Sequence, residues 1–347
     1  MSYRVNIPQF MTSIQVEPGQ TILDAALKAG LDYPYACRQG NCSSCKTKVL
    51  NGEAEHIKPY DSFALSEEEK ANGLILACRA APRGPCEVEY LEDDDLLFSP
   101  RDIECVIRKA ERVAHDVVVI TARPLSGQPV SFSAGQFGNL TLPGMPPRDY
   151  SFANRPGAPD LEFHVRALQG GNVSRHLFDS AQQGDRFMLH GPLGTAYLRK
   201  DHPGPITIVV GGTGLAPAKS ILLDALSELP GRAISLYFCA RREADLYMVD
   251  AMRALAEKHA NFVFFPIVTR TAENPERRTN DVFRMLAERF PTLAGHKIYT
   301  CGSPGLVSAC QKFARESGLA PSDCHADPFV VAEGHLRLPD RPEQLEL

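Results

Sequence analysis

The sequence predicts a three-part chain of mixed α+β and α/β class: a small mixed segment around a cysteine loop, a small antiparallel β-barrel, and a parallel sheet flanked by helices. Three observations carry this. The chain has 347 residues, and that is about twice the usual length of a single domain. Its apolar pattern changes character near residue 100 and again near residue 203. Beyond Pro205, strand-like runs alternate with helical ones, the rhythm of a parallel α/β sheet.

Residues 1–92 form the first segment. Tyr3 to Phe10 reads as a strand, and Thr21-Ile22-Leu23-Asp24 has the pattern of a capping box opening a short helix that Gly30 closes. Glu67-Glu68-Glu69 reads as an exposed helix start. The acidic run Glu92-Asp93-Asp94-Asp95 and then Ser99-Pro100 break the periodicity, so residues 93–101 are expected to be a linker. From 102 to 202, short β-rich runs such as Val117–Ile120 and Phe187–Leu189 stand between Gly/Pro turns, as in a small antiparallel barrel. From 203 to 331, the strands Ile206–Val210, Ile234–Phe238, Phe262–Val268 and Lys297–Cys301 alternate with helical patterns at Ala216–Glu228 and Leu246–His259. Residues 332–347 are a tail rich in Pro and charge.

Hydrophobic residues at 44%, charged residues at 23% and a net charge of −5 describe an ordinary globular chain, and nucleic acid is not an expected partner. No apolar run reaches membrane-spanning length and no basic-then-apolar leader opens the chain, so the expected location is the cytoplasm, away from membranes. Thiols stay reduced there, and clustered cysteines then point to metal or redox chemistry.

Cys37, Cys42 and Cys45 have C-x4-C-x2-C spacing, and Cys78 follows at a distance, which is the plant-type arrangement for a [2Fe–2S] cluster. Gly40, Asn41, Ser43 and Ser44 are small enough to let backbone N–H groups turn toward the sulfurs. Structural zinc sites usually supply their cysteines in two pairs, and this spacing fits them poorly. Cys86, Cys105, Cys239, Cys310 and Cys324 are scattered, and the default reading is buried small hydrophobes.

Arg148-Asp149-Tyr150-Ser151 ends a barrel strand, and Gly170-Gly171-Asn172-Val173-Ser174 precedes a helix. Together they offer a guanidinium for a pyrophosphate, an aromatic face for a ring, and helix-start N–H groups for phosphates, the needs of a flavin dinucleotide. Gly211-Gly212-Thr213-Gly214 follows a strand and opens a helix, converging N–H groups on an anion. Cys301-Gly302-Ser303-Pro304 ends a later strand, where open α/β sheets place ligand groups. Arg241 and Arg242 follow the second strand of that sheet, where a 2′-phosphate could sit, whereas Glu243 and Asp245 could accept from a 2′-hydroxyl. The residues leave NADH or NADPH open.

In this order the four motifs resemble the flavin-dependent ferredoxin–NAD(P) reductases that serve bacterial multicomponent oxygenases, especially those of Rieske aromatic-ring dioxygenases acting on terephthalate or naphthalene. The resemblance covers residues 1 to about 331. It implies a β-grasp plant-type ferredoxin, an FAD-binding barrel and an NAD(P)-binding α/β domain. By it, Cys37, Cys42, Cys45 and Cys78 hold the cluster. Arg148 binds the flavin pyrophosphate, Tyr150 lies along the isoalloxazine and Ser151 reaches toward N5. His164, Val165, Arg166, Gly171, Val173 and Ser174 complete the FAD site. Gly212, Thr213, Gly214, Cys301, Gly302 and Ser303 receive the nicotinamide nucleotide, and Phe329 covers the flavin. Ser151, Cys301 and Phe329 then stand nearest the hydride. The implied path is NAD(P)H to FAD to [2Fe–2S] to a terminal oxygenase expected to be of Rieske type. The same layout also serves deoxysugar dehydratases, cytochromes P450 and diiron hydroxylases, and a self-contained flavoenzyme is a further alternative.

Overall fold

Pro8 has no N–H to give a ladder, so the first strand stops sooner than its apolar pattern suggests. In the computed structural model, which describes residues 2–35, 38, 40, 42–60, 64–91, 98–269 and 280–329, β1 spans Tyr3–Ile7 and Pro8 opens a single 3-10 turn. Strand β2 (Thr12–Val16) returns antiparallel to it. Thr21 caps α1 (Ile22–Lys28) by accepting the Asp24 N–H at 3.2 Å. The full capping box stands elsewhere: Ser66 and Glu69 satisfy one another's backbone N–H groups at the start of α2 (Glu67–Ala71). Strands β3 (Lys46–Asn51), β5 (Leu74–Leu76) and β7 (Cys86–Tyr90) complete a sheet of order β2-β1-β7-β3-β5, and β4 (Ala54–His56) pairs with β6 (Ala80–Pro82). The β1–β7 pair is parallel, and α1 packs Ile22 and Leu23 into a core with Val5, Ile7, Leu76 and Val88, all fully buried. This is the β-grasp arrangement.

The second sheet is antiparallel throughout. It runs β11-β10-β13-β8-β9-β12, from β8 (Arg101–Ala114), β9 (Val117–Pro124), β10 (Phe137–Thr141), β11 (Arg148–Ser151), β12 (Leu161–Arg166) and β13 (Arg186–Leu193), with α3 (Asn172–Asp179) between the last two. Its two edges meet where Phe152 bridges Phe163 and the Ala153 N–H donates to Glu162 O at 2.8 Å. That contact closes the barrel and leaves no open edge to aggregate.

The third sheet is parallel, in the order β16-β15-β14-β17-β18. Its strands are β14 (Ile206–Gly211), β15 (Ile234–Ala240), β16 (Phe262–Val268), β17 (Lys297–Gly302) and β18 (Cys324–Pro328). Helices α4 (Leu215–Glu228), α5 (Val249–Lys258), α6 (Asn280–Arg289) and α7 (Pro304–Glu316) connect them. The reversal of strand order beside β14 puts the ends of β14 and β17 where open α/β sheets bind ligands. Among the described residues no helix is long and apolar enough to cross a membrane.

Candidate functional site: a cysteine loop docked on a barrel that shares a seam with the parallel sheet

The cysteine loop turns sharply. Arg38, Gly40 and Ser43 have positive φ, and a Cβ on Gly40 would come within 2.7 Å of the Tyr60 Cβ. Cys45 and Cys78 are buried and Cys42 is half-buried; Cys37 lies outside the described residues. The three described cysteines do not by themselves complete a metal-binding group. A hydrogen bond with Cys78, burial, and the negative charges of Cys78 and Cys42 together raise the Cys45 thiol well above the ordinary value. Crowded by its cysteine neighbours, the Cys45 sulfur ionises readily only beside a cation, so the donor set fits an iron–sulfur cluster.

This loop faces the barrel. Ser44 and Thr195 share a hydrogen bond between their hydroxyls at 2.6 Å, and Tyr35 meets Phe137 edge-on with ring centroids 6.2 Å apart. His190 stands 3.2 Å from Asp32 and 2.8 Å from Asp102. In register, Phe137 is opposite Ser151, so the cysteine loop is one residue pair away from β11. There Ser151 is buried and Tyr150 half-buried, while Asp149 is exposed to solvent. The Arg148 guanidinium donates only to its neighbour Pro147 O, at 2.8 Å, among the described hydrogen bonds, and its remaining N–H groups are free for a phosphate. Gly171 starts α3 with no side-chain cap, leaving its first N–H groups for an anion. A Cβ at Gly171 would approach Ser174 Oγ to 2.4 Å; that hydroxyl accepts the Leu168 N–H. Val173 is buried.

At the far side of the barrel, β12 runs beneath the Gly212 turn. Arg166 pairs with Asp116 at 3.0 Å, and a Cβ on Gly212 would lie 2.8 Å from its Nη1. Thr213 is half-buried. A Cβ on Gly214 would meet Cys301 O at 2.3 Å, and one on Gly302, whose φ is +131°, would meet Gly211 O at 2.7 Å. The two loops therefore touch backbone to backbone, as a site that admits a nucleotide along its main chain requires. Phe329, the residue after β18, donates its N–H to Gly302 O at 2.7 Å and so joins the same seam. The Cys301 thiol is fully buried and raised well above its usual pKa by that burial, with the Asp327 charge adding to it. Ser303 caps α7, accepting the Leu306 N–H at 3.4 Å. Arg242 is held by Asp245 at 3.0 Å, and His115 of the barrel comes within 3.4 Å of Arg242; Arg241 is exposed.

Behind this seam lies a buried polar chain that local sequence pattern does not announce. Val165 is fully buried and His164 nearly so. His164 Nδ1 meets Tyr247 OH at 2.8 Å and its Nε2 meets Glu162 at 2.7 Å; Lys219 Nζ reaches both Glu162 oxygens at 2.7 Å. Burial would raise the Glu162 pKa, but the His164 hydrogen bond and the Lys219 charge outweigh it and bring it down to about 2. Burial lowers the His164 pKa, so the ring is neutral.

Three family models match the chain in order: the 2Fe-2S iron-sulfur cluster binding domain over residues 7–83, the oxidoreductase FAD-binding domain over 104–197 and the oxidoreductase NAD-binding domain over 208–312. The chain is 37% identical over 329 residues to the reductase subunit of an aromatic O-demethylase from Amycolatopsis sp. (strain ATCC 39116 / 75iv2), covering 92% of this chain and 96% of that one. It is 32% identical over 317 residues to the ferredoxin–NAD(P)(+) reductase component of the naphthalene 1,2-dioxygenase/salicylate 5-hydroxylase systems of Ralstonia sp., covering 91% and 95%. The chain belongs to the ferredoxin–NAD(P) reductase components of oxygenase systems.

The fold of the reductase agrees with that of solved relatives. The Amycolatopsis cytochrome P450 reductase GcoB superposes with a TM-score of 0.70 at 34% identity, covering 94% of this chain and 98% of that one. The ferredoxin reductase of carbazole 1,9a-dioxygenase gives 0.66 over 95% and 99%, and at 23% identity it speaks for the fold alone. The reductase is an NAD(P)H-dependent oxidoreductase with FAD and [2Fe–2S] cofactors that passes electrons to an oxygenase. When bound, the flavin accepts a hydride's two electrons and the cluster carries them onward singly. The protein's own part is to hold Ser151 opposite Phe137 beneath the cysteine loop and to press the two nucleotide loops together. Thr195, Glu162, Lys219 and Tyr247 are residues the motifs did not single out; only the Glu162/His164 spacing, two polar residues on one face of a barrel strand, carries a signal.

Proposed function

We propose that the reductase delivers electrons to an oxygenase acting on an aromatic compound. The observation that carries this is the 37% identity to the reductase subunit of an aromatic O-demethylase. A Rieske-type terminal oxygenase is the partner that the motif order suggests. A cytochrome P450 is a second reading, supported by the TM-score of 0.70 with a cytochrome P450 reductase. The test mixes purified reductase and NADH with a Rieske aromatic dioxygenase, then with an aromatic-demethylating P450, and measures substrate-dependent product. Product from one names the partner class. If neither forms product while ferricyanide is still reduced, the aromatic client is wrong.

Within this reading, Cys37, Cys42, Cys45 and Cys78 bind the cluster, and Arg148, Tyr150, Ser151, His164, Val165, Gly171, Val173 and Ser174 form the FAD site. Arg166, lying against Gly212, reaches phosphate from the barrel side. Gly212, Thr213, Gly214, Cys301, Gly302 and Ser303 receive the nucleotide, and Phe329 shields the flavin. The pairing of Arg242 with Asp245 withdraws one of the two adjacent arginines from a 2′-phosphate, which favours NADH as the working donor. A kcat/KM ratio favouring NADPH that collapses in Arg241→Ala would reverse that assignment. The domain limits 1–92, 102–202 and 203–331, with linker 93–101 and tail 332–347, belong to the same proposal, as does a cytoplasmic location; the three main sheets fall inside those limits except that β8 begins one residue early, at Arg101.

A further inference from the structure

We infer that Thr195 is a positioning residue for the internal electron transfer, holding the cysteine loop against the barrel through Ser44. The inference rests on the reading that the four cysteines hold the cluster and that β11 lines the flavin. Ser44 is the residue before Cys45, and it is buried. Its hydroxyl meets Thr195 Oγ1 at 2.6 Å across the junction between the first and second sheets.

The barrel presents that oxygen from a fixed backbone. Arg199 Nη2 donates to Thr195 O at 3.3 Å, and Gln136 Nε2 donates to Gly194 O at 3.1 Å while its Oε1 accepts the Ser133 N–H at 2.7 Å. Gly194, at φ +90°, lies so close to Phe137 that a Cβ would stand 2.7 Å from the ring. The same Phe137 is opposite Ser151 in register and against Tyr35 of the ferredoxin segment. One rigid corner of the barrel, residues 194–195 with Phe137, therefore touches the cysteine loop on one side and the candidate flavin strand on the other. Other described contacts between loop and barrel are of different kinds: Tyr35 offers an apolar ring edge, Asp32 stands 3.2 Å from His190, and the Arg38 charge acts on Asp149. Among the described hydrogen bonds across this junction, the Ser44–Thr195 bond stands next to a cysteine of the loop and fixes direction as well as distance, since Ser44 is buried and a hydroxyl left unpaired there is costly.

Anaerobic stopped-flow with NADH separates the two steps, flavin bleaching and cluster bleaching. In Thr195→Val, flavin reduction should stay within about twofold of wild type, while cluster reduction slows about five- to tenfold, the loss expected when a docked population forfeits one buried hydrogen bond. The electron paramagnetic resonance spectrum of the dithionite-reduced cluster should not change. Hydrogen exchange should rise at residues 42–46 and 193–197. Thr195→Ser should restore the cluster rate, and Ser44→Ala combined with Thr195→Val should be no slower than either alone. Unchanged cluster reduction in Thr195→Val, equal slowing of both steps, or failure of Thr195→Ser to rescue would each overturn the inference. The underlying site reading fails separately: wild-type protein lacking [2Fe–2S] absorption, or Cys45→Ser retaining it, would show that the loop holds no cluster.

Discussion

The two junctions of this reductase are built on opposite principles. Between barrel and parallel sheet, polar groups interlock out of easy reach of water: Glu162 with Lys219, the neutral His164 with Tyr247, and buried Asp224 with half-exposed Arg155 and Lys200, the last at 3.0 Å. The Ser220 hydroxyl adds a bond to Asn154 O at 2.7 Å, and the Arg199 N–H donates to Tyr299 OH at 2.8 Å. Between ferredoxin and barrel, the described contacts include one hydroxyl pair, one ring edge, a partly exposed Asp32–His190 contact and the Arg38 charge near Asp149. Separating them would leave Glu162, Lys219 and Asp224 without partners where little water reaches, so the first junction favours one geometry. The second can be broken into water at little cost. Hydride transfer demands a fixed approach of nucleotide to flavin, whereas single-electron transfer from a cluster demands no such exact alignment of reacting atoms. The difference in construction matches that difference in task.

The largest effect should come from the buried charge. Glu162→Gln leaves Lys219 without its carboxylate and should cost roughly 3 kcal/mol in denaturant unfolding of the barrel and parallel sheet, with the cluster spectrum intact. Its pH dependence has a definite sign. Glu162 is held down to about 2 in the fold against an ordinary 4.5, so its stabilisation is complete above 4.5 and disappears as pH falls through about 2. The gap between wild type and Glu162→Gln should therefore narrow over that window; a gap that stays constant would mean that the carboxylate's charge is not what stabilises the junction. Next in size, Tyr247→Phe removes the partner of His164 Nδ1 and should cost about 1–2 kcal/mol, read as a lower midpoint for the same transition. A midpoint equal to wild type would show that the ring nitrogen finds another partner.

The smallest effect belongs to the other junction. Asp32→Asn removes a half-exposed partner of His190 and should change global stability by no more than about 0.5 kcal/mol. Its signature is kinetic: cluster reduction in the wild type should slow with added salt, and in Asp32→Asn that dependence should flatten. If Asp32→Asn lowered stability as much as Glu162→Gln, the contrast between the junctions would fall.

Each layer of the fold was legible because its cause is local. Five-residue strand-like runs followed by helical periodicity are the rhythm of a parallel sheet, and Ile206–Val210 and Ile234–Phe238 lie inside strands of that kind. The cysteine spacing and the Gly211–Gly214 turn were visible for the same reason. What holds the layers together was not. Ser44 and Thr195 are 151 positions apart, and Glu162 and Lys219 are 57 apart; neither pair leaves a trace in any window of sequence. The motif at Thr21 promised a reciprocal cap and gave half of one, while the complete box formed at Ser66, where a glutamate rather than the shorter aspartate sits three residues on and reaches the backbone.

The seam of Gly211, Gly214 and Gly302 carries a consequence for how this chain can change. Each loop already occupies the space that a methyl group on the other would need. Substitutions on the two loops are therefore not independent events: a change at Gly302 would have to find room that a change at Gly214 has already removed. In a pairwise mutational library, substitutions at Gly214 and Gly302 should show coupled rather than additive effects, while Gly211, where a Cβ would meet the tip of the Leu306 side chain, should be more tolerant. Grafting a different nucleotide turn onto this sheet should succeed only when both loops are transplanted together.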